Sequence, residues 1–414
     1  MAFQTGLTGL NASSKNLDVI GHNIANANTT GFKASRTEFA ALVASSIGPG
    51  TSENSAGLGV AVDKVAQQFT QGNLTITGNA LDVAINGSGF FVLRQPDGSI
   101  AYTRAGNFKL DTNGNIVTNN GANVMGYPTT ITGVATSTTP QPLVLPTGAP
   151  VPARATTAIT AELNLNASAS TVYNPVTNTP PYTTYGTALT VYDSQGNSIP
   201  FTMHFTRAAS TPGPPALDNW EVRDASGALL LDTASNPITL SFDATGALVA
   251  PVTMPQISIA TPSPTTPNIV ATLDVSGVTQ YASPFGVTNL TQDGYTAGSF
   301  VGLSISEQGV ITARYSNGQT QAAGMLALAD FRNVQGLAPI GGNNWIETYA
   351  SGQPLMGQPG QGKFGVTRSG SLEDSNVDLT AELVNMMTAQ RAYQANAQTI
   401  KTQDQVMQTL VNLR

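Results

Sequence analysis

The stretch Gly357-Gln358-Pro359-Gly360-Gln361-Gly362-Lys363-Phe364 fits the spacing G-x-x-x-x-G-K, with which a loop wraps a phosphate. In that chemistry backbone N–H groups cradle the phosphate oxygens, the lysine adds positive charge, and a Ser or Thr hydroxyl holds magnesium. Here the hydroxyl position is Phe364, and GVTRSGS follows in place of a helical pattern. The stretch therefore reads as a Gly-rich return loop. The two histidines, His22 and His204, stand in separate contexts. No H-E-x-x-H and no G-x-S-x-G nucleophile elbow occurs, and Gly87-Ser88-Gly89 reads as a turn. Without cysteine, neither a thiolate metal site nor a disulfide framework is available. No catalytic, cofactor-binding or metal-binding residue is expected, and no small-molecule substrate.

The composition narrows the class further. Charged residues make up 10% of the chain, against about 25% in an ordinary soluble domain. Gly, Thr, Asn and Ser take their place, which suits strands and turns with neutral polar surfaces. The formal net charge of -7 provides no basic stripe for nucleic acid. No apolar run reaches the length of a membrane span. The opening MAFQTGLTGL lacks the cationic and apolar regions of a secretory signal, so export without a cleaved signal peptide is the expected route if the chain leaves the cell.

The elements at the two ends are helical. Near the start, Phe3, Leu7, Leu10, Ser14, Leu17, Gly21 and Ile24 alternate steps of four and three. Near the end, Leu379, Leu383, Met386, Gln390, Tyr393, Ala397, Ile400, Asp404, Met407 and Val411 do the same. Such stepping is the seam of a coiled coil or bundle helix. Asp378 stands where it either caps a helix or lies in its first turn, with Glu382 four residues on. Gly6, Gly9 and Gly21 each cost the first helix about 1 kcal/mol against alanine, so it needs a partner.

Between the ends the period changes to two. LDVAINGSGFFVL, residues 81–93, reads as two strands with a glycine break. Turns are signalled at Pro96-Asp97-Gly98, Thr112-Asn113-Gly114 and Ser316-Asn317-Gly318, and by the D-x-x-G quartets at 193–196, 224–227 and 243–246. Pro-rich segments at 132–157 and 260–268 are read as boundaries. The expectation is a multidomain chain: an α-helical coiled-coil terminal domain formed by the N- and C-terminal helices, plus two mainly antiparallel β domains inserted in series. The helical domain takes 1–28 and 368–414, linkers 29–71 and 363–367, the inner β domain 72–150 and 284–362, and the outer β domain 151–283.

One cassette fits none of these categories by itself. NIANANTTGFK, residues 23–33, interrupts the first helix with asparagines and threonines. SKNLDVIGHNIANANTTGFKASRTEF, residues 14–39, resembles the N-terminal signature of the rod, hook and hook-associated axial proteins of the bacterial flagellum. SGSLEDSNVDLTAELVNMMTAQRAYQANAQTIKTQDQVMQTLVNLR resembles that family's C-terminal helix, and QGNLTITGNALDVAINGSGFF, residues 71–91, its inner β domain. Residues 187–205 and 293–337 are similar to the start and return of the outer domain in the hook branch of the family.

The resemblance implies a structural polymer, not an enzyme. Its subunits pass through the flagellar type III export apparatus and polymerise into a curved, flexible tube outside the cell, a universal joint that carries motor torque from rod to filament and encloses the export channel. The implied partners are other copies of the chain, the distal rod protein, the hook cap protein and the hook-filament junction proteins. A distal rod or hook-associated protein is the alternative within the family. A secreted β adhesin would account for the composition but not for the paired terminal heptads. Phe3, Leu7, Leu10, Leu17, Ile24, Leu379, Leu383, Met386, Tyr393, Ile400, Met407 and Val411 are expected to form the axial interface. The signature residues are Asn26, Asn28, Thr30, Gly31, Phe32 and Lys33. Gly31 is expected to permit a turn, and Phe32 to bury in a groove of a neighbouring copy.

Overall fold

The computed structural model describes residues 2–43, 57–146, 150–169, 185–211, 213 and 216–412. Two terminal helices flank a β-rich middle. Helix α1 spans Ala2–Ala25 and helix α2 spans Leu379–Asn412, the latter about 50 Å long. The chain divides into two compact units: 1–148, 302–314 and 320–414 form the first, and 149–301 with 315–319 the second.

In the first unit, α1 is followed by strands β1 (Ser35–Val43) and β2 (Gly57–Gln67), paired antiparallel from Ser35–Gln67 to Val43–Gly57. The segment read from sequence as a linker, 29–71, thus carries a paired ribbon. Thr8 of α1 lies against it: a methyl added at Gly59 would sit 2.1 Å from Thr8 Oγ1. The β body is built on antiparallel strands Asn123–Tyr127, Phe90–Arg94, Ile100–Thr103 and Asn344–Ile346, side by side. The Gly break predicted in 81–93 separates Val83–Asn86 from Phe90–Arg94, with Gly87 and Gly89 at φ 113° and 121°. One face of this body buries Phe91, Leu93, Ile116 and Leu328, the other Phe90, Tyr102, Phe331 and Trp345. The second expected linker, 363–367, enters the strand Val366–Ser369, which pairs with Val83–Asn86.

In the second unit, Ala158–Asn166 alternates buried and half-exposed residues, placing Ile159, Ala161, Leu163 and Leu165 inside. It pairs in parallel with Ile269–Asp274 and Thr279–Tyr281, and antiparallel with Gly286–Gln292. A second sheet is an antiparallel meander of Gly186–Tyr192, Ser198–Arg207, Asp218–Arg223, Thr239–Phe242 and Leu248–Ala250. Side chains of both sheets share one core around Trp220, Met203 and Phe242. The D-x-x-G quartets form turns by their own chemistry. Asp193 Oδ1 accepts from the N–H groups of Gln195 and Asn197 at 2.9 and 2.8 Å, and Gly196 takes φ 86°.

The return boundary differs from the sequence expectation. Residues 260–268, read as a boundary, form the loop between the paired strands Gln256–Ile259 and Ile269–Asp274. The strand Gly286–Gln292, placed by the sequence reading in the inner domain, belongs to the second unit. Proline there ends strands without ending the unit.

The chain's two tryptophans fall one in each unit, Trp345 in the first and Trp220 in the second. Trp220→Ala removes the largest fully buried side chain of the second core and is expected to destabilise that unit by about 3–5 kcal/mol. Circular dichroism should report the earlier β transition, while Trp345 fluorescence, then the sole tryptophan signal, keeps its midpoint.

Candidate functional site

The helix pair at the chain's ends and the junction that anchors it form the candidate site. Asp378 Oδ1 accepts from the N–H groups of Thr380 and Ala381 at 2.9 and 3.1 Å, capping α2 as its position predicts. The helices run antiparallel. Gly6 faces Ile400, Gly9 and Ser13 face Asn396, and Asn23 reaches Glu382 Oε1 at 3.4 Å. A methyl at Gly9 would lie 2.9 Å from Asn396 Oδ1, and one at Gly6 would lie 3.1 Å from Ile400 Cγ1. Gly6 and Gly9, two of the three glycines that weaken α1 as an isolated helix, are therefore what lets α2 approach it, whereas a methyl at Gly21 would meet nothing within 4 Å.

This seam is not the apolar stripe read from the sequence. On α2 it follows Glu382, Ala389 and Asn396, seven residues apart, with Ala389 buried. Of the expected interface residues, Ile400 lies against α1, half-buried beside Gly6. Phe3 and Leu7 are 50% and 44% exposed, and Leu10, Leu17 and Ile24 are half-buried. Leu379, Leu383, Tyr393 and Met407 are exposed and Met386 is half-buried. The side chain of Val411 lies outside the described residues. Val384 and Met387 are exposed apolar neighbours that strict four-three stepping omits.

The cassette closes the helix and turns the chain. Asn26 Nδ2 donates to the His22 carbonyl at 2.9 Å, and the Thr29 hydroxyl donates to Asn26 Oδ1. Asn28 is exposed, and the Thr30 carbonyl accepts from Asn343 Nδ2. Gly31 takes φ 69°, and any side chain there would strike the backbone of Ala105. Phe32 is buried within its own chain, its ring 5.4 Å from that of His22. This corrects the expectation that Phe32 fills a neighbour's groove: the turn at Gly31 folds it back under the end of α1.

Behind the turn lies a buried ionic junction. Lys33 Nζ is 2.6 Å from Glu373 Oε1 and donates to the Thr70 carbonyl, while Arg104 is 3.2 Å from Glu373 Oε2. Lys33 and Glu373 are 1% and 0% exposed. Burial lowers the Lys33 pKa from its ordinary value, and the charge of Glu373 opposes that shift. The Gly72 N–H also donates to Glu373 Oε1, and Arg104 lies over the Phe90 ring. Asn376 completes the junction, accepting from the Ala34 N–H and donating to the Gln68 carbonyl. Outgoing chain, returning chain and β body thus meet at one point. Of these residues the sequence reading had singled out only Lys33. A rare charge set directly after a turn was the one available signal for the rest.

The phosphate-loop pattern has another use. Lys363 pairs with Asp330, and the Phe364 ring packs on Gly357. His22 and His204 belong to different units. Among the described residues no group of His, Asp or Glu is arranged to hold a metal ion, and no helix is long and apolar enough to cross a membrane.

Family models match along the chain: a flagella basal body rod protein model at residues 3–33, the flagellar hook protein FlgE/F/G D1 domain at 84–162, the flagellar basal body protein FlaE D2 domain at 164–295, and the flagellar basal body rod FlgEFG protein C-terminal model at 368–413. The flagellar hook protein FlgE of Escherichia coli is 41% identical over 100% of both chains. This chain belongs to the flagellar hook protein FlgE family. Other FlgE relatives are those of Salmonella typhimurium, 40% identical over 100% of both chains, and Borreliella burgdorferi, 32% identical over 99% of this chain and 98% of the relative. The crystal structure of Helicobacter pylori flagellar hook protein FlgE2 shares the fold, with a TM-score of 0.55 at 17% identity, covering 72% of this chain and 100% of that one.

Glu373→Gln would leave two buried cations without their counter-charge. It is expected to destabilise the first unit by about 3–5 kcal/mol, read as an earlier Trp345 transition in a Trp220→Phe background. Gly9→Leu should force the helices apart at Asn396 and lower helix content by circular dichroism, leaving the β signal unchanged.

Proposed function

We propose that this chain is the structural subunit of the bacterial flagellar hook, polymerising into a curved, flexible tube that transmits motor torque from rod to filament and encloses the export channel. The observation that carries this reading is the pair of terminal helices. They meet through Gly6, Gly9, Ser13, Glu382, Asn396 and Ile400 and leave large apolar side chains such as Phe3, Leu7, Leu383 and Met387 exposed, on a chain that matches hook proteins from end to end. An isolated soluble protein gains nothing from that arrangement; a polymer subunit gains interface.

In this reading the helices form the axial core, with Phe3, Leu7, Leu10, Leu17 and Ile24 of α1 and Leu379, Leu383, Met386, Tyr393, Ile400, Met407 and Val411 of α2 as the interface with neighbouring copies. The β units form the outer shells. The chain acts without catalysis or cofactor. It is exported through the flagellar type III apparatus without a cleaved signal peptide and assembles outside the cell. Its partners are its own copies, the distal rod protein, the hook cap protein and the hook-filament junction proteins.

Two substitutions separate assembly from folding. Burying a side chain such as Leu383 in a subunit contact contributes about 1.5–3 kcal/mol, and a carboxylate there would be desolvated instead. Leu383→Asp is expected to give a soluble monomer with unaltered helix content that forms no tubes by electron microscopy or sedimentation. Ile400→Asp, beside Gly6, should also lose helix content in the monomer. Normal tubes from Leu383→Asp would refute the interface.

A further inference from the structure

Among the exposed apolar residues of the helix pair, two groups form ridges at different heights, with Tyr393, Val406 and Met407 elsewhere on α2. Phe3 and Leu7 lie where α1 passes Ile400, because Leu7 adjoins Gly6. Leu379, Leu383, Val384 and Met387 lie at the other end of the pair, where Asn23 meets Glu382. Leu383 is 17 positions before Ile400 (400 minus 383), which at the rise of an α-helix sets the ridges roughly 25 Å apart along the axis. No chain can bring its own two ridges together across that distance.

The exposed parts of the ridges carry little charge, since Glu382, between Leu379 and Leu383, is turned to Asn23 of α1. Residues 2–14 contain no ionisable side chain, and neither do residues 383–390. Joining them buries apolar surface without stripping water from an ion. The ridges are unlike each other, so a contact between them is head-to-tail, and a head-to-tail contact that does not close generates an open helical assembly. Two copies of the same ridge would instead close into a dimer.

Resting on the polymer reading above, we infer that the Phe3–Leu7 ridge of one copy packs on the Leu379–Leu383–Met387 ridge of the next, with the two helix pairs offset by roughly 25 Å. A few side chains per ridge are far below the area of a stable two-body interface, on the order of 1,200–2,000 Å². The contact therefore forms only when each subunit is held by several neighbours, and the free chain remains monomeric.

The chain has no cysteine, so introduced thiols are unique. Leu7→Cys and Leu383→Cys chains, made separately and carrying different mass tags, are mixed, assembled and mildly oxidised. The expected result is a disulfide dimer containing one of each tag in the tubes. It should be absent from the unassembled mixture and from tubes of either variant alone. Phe3→Cys with Met387→Cys provides an independent pair on the same ridges, and should give the same product. Tubes in which neither pair cross-links, or in which Leu383→Cys cross-links to itself equally well, would overturn the ridge contact while leaving the polymer intact. Failure of the unsubstituted chain to form tubes would overturn the polymer reading, and this contact with it.

Discussion

Glu373 ties the outgoing and returning chain to the β body of the first unit. One carboxylate, fully buried, faces Lys33 on one oxygen and Arg104 on the other. Lys33 comes from the chain leaving α1, Arg104 from the β body, and Glu373 from the chain about to enter α2. A buried carboxylate is costly unless its charge is matched and its lone pairs are filled. Here two cations and the Gly72 N–H do both. The left-handed turn at Gly31, the inward Phe32 and the Asn376 hydrogen bonds all follow from bringing Lys33 to that carboxylate.

The helix pair depends on this junction for its start and on small residues for its course. Once the chain has turned at Gly31 and Asp378 has capped α2, the two helices leave side by side. Gly6 and Gly9 then set how closely they run. Alongside the buried Ala12, Val19 and Ile20 of α1, the pair leaves Phe3, Leu7, Leu383, Val384 and Met387 exposed, whereas in an isolated pair the apolar stripe usually meets its partner.

Much of the architecture was legible in the sequence, for reasons that differ by element. Long four-three stepping located both helices, and Asp378 marked the start of α2. The D-x-x-G turns were readable because an aspartate accepting from the second and fourth N–H groups after it, followed by a glycine with positive φ, makes its turn from local chemistry alone. The seam was not readable, because a search for apolar periodicity selects Leu383 over its neighbour Glu382. The β1–β2 ribbon was missed because the polar cassette before it and the glycines at its turn end, Gly57 and Gly59, look like linker. The junction was missed because its members are far apart in the chain, Lys33 and Glu373 by 340 residues. The Pro-rich 260–268 segment misled because proline marks the end of a strand as readily as the end of a domain.

The crossing at Lys33 and Glu373 has a mechanical consequence. The chain enters and leaves the β body within one ion pair's reach. There the strand Ser371–Glu373 pairs with β3 (Leu74–Ile76), and the Gly31 N–H donates to the Glu373 carbonyl. Tension between the helix pair and the β body therefore passes through this one cluster of bonds.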